Sequence, residues 1–244
     1  MVCSLLTDAD GDPIPPASRL DGAGNPTGQD GHVGRDVTHN DDSDGHAGFS
    51  FTKIGTDGKA LAIQNQTWID TGSEVEGTQW SCVKDNVTGL IWEIKQGAGN
   101  AIYGDNGLHD PDDRYTWYNT NPATNGGEEG VSDIDRIVCF GYLKGDSSTW
   151  CNTEAYVKRV NTSGWCGVHD WRMPSRQELR SIVDEGHFRP TMDTAYFPDA
   201  GSDAYWTGIP DFESRAQTIF FYNGGDFWGD RSYPHFVRLV RSGQ

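Results

Sequence analysis

The chain is poor in positive charge, with 19 Lys and Arg against 36 Asp and Glu, a formal net charge of -17. A surface of that sign repels nucleic acid and anionic lipid, so neither is an expected partner. No run of 18 apolar residues occurs, which leaves no segment able to span a membrane as a helix. No export signal is legible at Met1, so the export expected below would rely on a signal upstream of it. No two of the five cysteines have C-x-x-C spacing, which disfavours zinc and thioredoxin-like chemistry. H-E-x-x-H, G-x-S-x-G and a Gly-rich phosphate loop are all absent. His32, His39, His46 and His109 sit in acidic stretches. No carboxylate pair stands out by spacing as a glycosidase pair. The expectation is therefore a protein that is not an enzyme.

What is present is aromatic and loop-forming. Nine Trp, nine Tyr, ten Phe and 31 Gly occur among 244 residues, of which 35% are hydrophobic. That is enough for one core and points to short strands joined by long loops. The charge is uneven. Residues 1–130 carry 21 acidic and 7 basic side chains, and residues 131–244 carry 15 and 12. The excess serves solubility, or some of it holds calcium. Three clusters are candidate calcium ligands: Asp8, Asp10 and Asp12; Asp41, Asp42 and Asp44; and Asp110, Asp112 and Asp113. Alternating carboxylates in a turn can converge on one hard cation. The full twelve-residue loop signature fails at the first cluster, where Arg19 stands in place of a bidentate Glu.

Residues 1–48 lack apolar periodicity and read as an acidic arm, followed by a domain over residues 49–244. Phe49–Ile54 alternates as a half-buried strand does. Trp80–Lys84 and Leu90–Ile94, joined by Asp85-Asn86-Val87-Thr88-Gly89, form a hairpin with Trp92 in the core. Two helices are expected, near residues 152–162 and 175–185. Asn152 or Thr153 caps the first and Gly164 ends it. Ser175-Arg176-Gln177-Glu178 is a capping box opening the second, with Leu179, Ile182 and Val183 on its apolar face and Gly186 as a left-handed cap. Arg176 and Arg180 face solvent. The last fifty residues form a terminal antiparallel sheet, making an α+β domain. Within it Phe236–Arg241 alternates, with Val237 and Leu239, and Arg238 and Arg241, on separate sides.

Loop-rich exported chains use cysteines as staples. The preferred pairs are Cys139–Cys151, closing a short loop, and Cys82–Cys166, tying the middle of the chain to its later core. Cys3 is left as a lipid-anchor site, a link to another chain or a free thiol.

Several motifs then resemble one family. They are Asp85-Asn86-Val87-Thr88-Gly89-Leu90-Ile91-Trp92-Glu93, the run from Gly167 to Leu179 containing Asp170-Trp171-Arg172-Met173-Pro174, Tyr205-Trp206-Thr207, and Val237-Arg238-Leu239-Val240-Arg241. In this order they resemble the Lcl C-terminal domain family over roughly residues 49–243. The resemblance implies a C-type-lectin-like fold related to the formylglycine-generating-enzyme superfamily, with two helices, short antiparallel strands and long irregular loops. It also implies an exported adhesin-like role. Trp171 as a buried anchor, Pro174 before the cap and Glu178 closing it are structural roles, so the strongest motif speaks for fold. Phe197-Pro198-Asp199 lacks the first polar ligand of a calcium-dependent sugar site, and no cysteine follows Cys166 to support the generating-enzyme reaction. Sulfated polysaccharides, bound by the adhesin that gives the family its name, are not carried over to so acidic a chain.

The expected function is an exported bacterial ligand-binding or adhesin module without catalysis, at the cell surface or outside the cell, with periplasmic or lipid-anchored placement as variants. A structural module of a surface or pilus-like assembly and a polymer-acting hydrolase are the alternatives. The expected partner is a surface glycan or protein, with homo-oligomerisation open. The expected ligand surface is Phe212, Tyr222, Asp226, Phe227, Trp228, Asp230, Arg231, Tyr233 and His235. Alternate residues of a strand must face outward, so these aromatics cannot all be core.

Overall fold

The computed structural model describes residues 49–211 and 213–243. Residues Phe51–Gln244 form one compact unit. Four strands make the first sheet: β1 (Phe51–Ile54), β2 (Cys82–Asp85), β3 (Leu90–Glu93) and β7 (Val240–Ser242), in that spatial order and all antiparallel. The second sheet is β4 (Ala204–Pro210), β5 (Arg215–Phe220) and β6 (Gly225–Asp230). Between them lie α1 (Thr153–Ser163), a short 3-10 turn (Trp165–Gly167) and α2 (Arg176–Arg180).

The expected hairpin forms for a local reason. The Asp85 carboxylate accepts hydrogen bonds from Val87 N at 2.9 Å and Thr88 N at 3.2 Å, and Gly89 supplies the positive φ that closes the turn. Val83 then faces Trp92 across the ladder. Helix α1 starts where Asn152 accepts from Ala155 N at 2.8 Å and stops where Gly164 turns left-handed. At α2 the capping box is complete, with Ser175 Oγ accepting from Glu178 N and the Glu178 carboxylate accepting from Ser175 N at 2.8 Å.

Three expectations change. Helix α2 ends at Arg180 instead of running to 185, and Gly186 is not a left-handed cap. Ile182 and Val183 bond three residues back, to Leu179 O and Arg180 O, so tight turns carry the apolar face on while the chain bends. The terminal strand does not join the terminal sheet. Strand β7 crosses back to β3, pairing Val240 with Trp92 and Arg241 with Ile91. Arg238 is fully buried, donating to the Glu93 carbonyl at 2.7 Å.

Five of the tryptophans (Trp80, Trp92, Trp117, Trp171 and Trp206) are almost wholly buried. A buried indole usually finds a partner for its N–H, and of the five Trp92 alone has none among the described residues. Trp117 donates to Thr207 O at 2.9 Å, Trp171 to Trp165 O at 3.0 Å and Trp206 to Tyr115 O at 2.7 Å. The indoles thus join distant segments as well as filling the core. Two disulfides brace it: Cys82–Cys166 fastens β2 to the 3-10 turn, and Cys139–Cys151 closes the loop before α1. Both are the expected pairs.

Mapping of unreduced peptides should find these two links. Removing either should cost about 2–4 kcal/mol of stability. Free thiols at Cys139 and Cys151 in the purified protein would contradict the pairing.

Candidate functional site

The densest set of ionisable groups is internal. Glu93, at the end of β3, is fully buried. Its Oε1 accepts from His109 Nδ1 at 2.8 Å, Lys95 Nζ at 3.0 Å and the Tyr156 hydroxyl on α1, and its Oε2 accepts from Leu239 N at 2.9 Å. Burial pushes Glu93 upward, but Lys95 and the bonds from His109 and Tyr156 outweigh it and hold the carboxyl far below the usual range. Burial lowers Lys95 and His109. His109 stacks on Trp165 with ring centroids 3.7 Å apart. Glu93, Lys95, His109 and Tyr156 are each at most 5% exposed, so the cluster holds the fold and offers no open face to a substrate.

Asp113 lies beside it. Its Oδ2 accepts from Phe140 N at 2.8 Å and Tyr115 OH at 3.1 Å, and burial pushes its carboxyl up to about 6. Asp110 and Asp112, grouped with it as candidate calcium ligands, serve other loops. Asp110 accepts from Asn106 N and Asp112 N, and Asp112 from Asn100 N and Ala101 N, all between 2.7 and 2.8 Å. These three carboxylates pin three separate backbones and do not converge. No group of three or more potential metal ligands occurs among the described residues. The other two candidate clusters lie outside the described residues.

The expected ligand surface is divided by the strand geometry. Successive residues of β6 face opposite ways. Phe227 and Trp228 are therefore both exposed, at 42% and 43%, but on opposite faces. Phe227 belongs to a ladder of rings: Phe188 to Tyr222 at 5.0 Å, Tyr222 to Phe220 at 5.5 Å, and Phe220 to Phe227 at 6.0 Å between centroids. The Arg189 guanidinium lies 4.1 Å from the Tyr222 ring centre and has no ion-pair partner among the described residues. Trp228 shares its face with Asp226 and Asp230. Asp226 is held by Arg176 Nε at 2.8 Å and Gln217 Nε2 at 3.1 Å, with Arg176 keeping its carboxyl below the usual range. Asp230 accepts from Ser232 N and Oγ, which lowers its carboxyl too.

Two expected members belong elsewhere. Arg231 is 1% exposed and reaches the carbonyls of Arg215, Asn125, Glu128 and Asp211, so it organises the fold from inside and is no part of an exposed surface. His235 is half-buried against Trp206, with its ring lowered by burial. Tyr233 is 65% exposed. Phe212 lies outside the described residues. Phe188, Arg189 and Phe220 escaped sequence reasoning. His187-Phe188-Arg189-Pro190 was the only local signal for the first two, and their approach to Tyr222 is tertiary.

The protein is a disulfide-stapled α+β domain on two small antiparallel sheets, and no helix among its described residues is long and apolar enough to cross a membrane. It belongs to the Lcl C-terminal domain family, whose model matches residues 81–241. The match runs from the start of β2 into β7 and leaves β1 ahead of it. No curated protein and no solved structure matches the chain.

The raised Asp113 carboxyl has a definite sign in stability. Its folded value of about 6 exceeds the ordinary 3.8, so the folded state binds the extra proton and stability falls as pH rises from about 4 to 6. Asp113→Asn should remove that decline and stabilise the protein at pH 7.5 by about 1–3 kcal/mol. Thermal melts of both proteins from pH 4 to 8 check this. Parallel curves would show that Asp113 does not titrate as stated.

Proposed function

We propose that the domain is a non-catalytic ligand-binding or adhesin module, C-type-lectin-like in fold, acting outside the cytoplasm. Its binding surface is the ring ladder with β6. The observation that carries this reading is the ring run Phe188–Tyr222–Phe220–Phe227, exposed at its two ends and half-buried between them, with a guanidinium stacked upon it that has no ion-pair partner among the described residues. Exposed rings beside a cation supply large contact area at low entropic cost, as binding hot spots do. Two disulfides support an oxidising compartment. The sealing of the Glu93 cluster supports binding without turnover. The ligand is a surface glycan or a protein.

An array of glycans and peptides, probed with the intact chain, tests the proposal. A hit should weaken about five- to thirty-fold in Phe227→Ala and in Phe188→Ala, the loss expected for about 1–2 kcal/mol of contact. The melting temperature should stay near that of the parent. Binding indifferent to both substitutions would sink the assignment of the surface, and turnover of a bound polymer would sink the non-catalytic reading.

A further inference from the structure

Among the described residues, strand β6 has an open edge. Its register sets Phe227 opposite Thr218 and Gly229 opposite Ala216, and Arg231 N donates to Ser214 O at 3.1 Å. Antiparallel ladders exchange N–H and C=O at every second pair. Counting from the Ser214–Arg231 pair, the backbones of Gly229, Phe227 and Gly225 point into the sheet. Those of Asp226, Trp228 and Asp230 point out of it. Tyr233 N takes the Asp230 carbonyl at 3.0 Å. The N–H and C=O of Asp226 and Trp228 and the N–H of Asp230 meet no described residue. On the far side of the sheet β4 is closed, with Trp206 N bonded to Phe236 O at 2.9 Å and Phe236 N to Ala204 O at 3.0 Å. Open edges recruit further strands, and proteins usually blunt or cover them.

We infer that β6 accepts an extended peptide segment of a partner protein as a fourth strand, one that alternates basic and apolar side chains. This rests on the reading that the β6 region is the binding surface, and it names the ligand class. The main chain of the peptide pairs with Asp226 and Trp228. Its basic side chains lie on the face of Trp228 and Asp230, the Asp230 carboxylate having no ion-pair partner among the described residues while Asp226 is held by Arg176, and its apolar ones lie on the face of Phe227. Charge also disfavours the nearest alternative, a second copy of the chain. Antiparallel self-pairing about Trp228 sets Asp226 of each copy against Asp230 of the other, in a protein of net charge -17.

The probe is a blocked, fluorescently labelled hexapeptide of alternating Lys and Val, added to the full chain. It should bind saturably and weaken at least about tenfold when Glu replaces Lys or Pro replaces Val. Hydrogen exchange at the Trp228 amide should slow at least about tenfold in the complex. Trp228→Pro removes an outward N–H while leaving the β5 ladder its donors, and it should abolish binding in a protein that still folds. Absence of binding, equal binding of the Pro peptide, or unchanged exchange at Trp228 would each overturn the inference. The exchange measurement needs no variant, so it decides even if Trp228→Pro fails to fold. An array hit that is lost in Phe227→Ala but indifferent to Trp228→Pro would keep the binding surface and overturn the strand partner.

Discussion

One buried carboxylate constrains much of this domain. Glu93 ends β3, and its side chain gathers Lys95 two residues on, His109 from the following loop, Tyr156 from α1 and the backbone of Leu239 before β7. Four stretches of chain, of which only β3 and the segment leading into β7 share a ladder, are thereby held at one point. A lone buried carboxylate would be strongly destabilising, and its hydrogen bonds and the Lys95 charge are what make the burial tolerable. Removing one partner of such a set costs about 3–5 kcal/mol, because the remaining charges stay buried. The cluster therefore fixes how the first sheet meets α1 and the C-terminal strand.

Carboxylates and amides do similar work on a smaller scale in the loops. Asp85, Asp110, Asp112 and Asp113 each accept backbone N–H groups, and Asn152 caps α1. A chain with few helices and short strands has many backbone donors without ladder partners, and short acidic side chains satisfy them locally. Part of the acidic excess is therefore structural in the described domain. The disulfides complement this: Cys139–Cys151 holds the segment that Asp113 contacts through Phe140 N.

Elements with local causes were legible. The hairpin around Asp85–Gly89, the Asn152 and Gly164 caps, and the Ser175 capping box all depend on residues a few positions apart. The end of α2 was not, because Ile182 and Val183 have helical spacing and are buried, but by turns that lead into the Asp184–Thr191 contact. The return of β7 to β3 was hidden as well. Val237 and Leu239 alternate as any strand would, and alternation does not name the neighbouring strand. The ring surface was half legible. Tyr222 and Phe227 stood out by composition, whereas Phe188 and Arg189 join them only through the folding of a separate segment.

The two arginines near that surface mark the boundary between the levels. By sequence alone Arg189 and Arg231 are equivalent, each a cation beside aromatic and turn residues. In the structure Arg231 is buried and spends its donors on carbonyls from Asn125, Glu128 and Asp211, whereas Arg189 lies exposed on a ring. The sequence by itself determined the turn chemistry, the caps at Asn152, Gly164 and Ser175, the alternation along β6 and the family. Each follows from residues close in the chain or from motifs in order. Tertiary structure decided which charges are sealed, which strand β7 joins and which aromatics share a face. Those outcomes depend on groups brought from more than a hundred residues away in the chain, as Asn125 is from Arg231 and Glu93 from Arg238. A residue's own neighbours in the chain do not specify such partners.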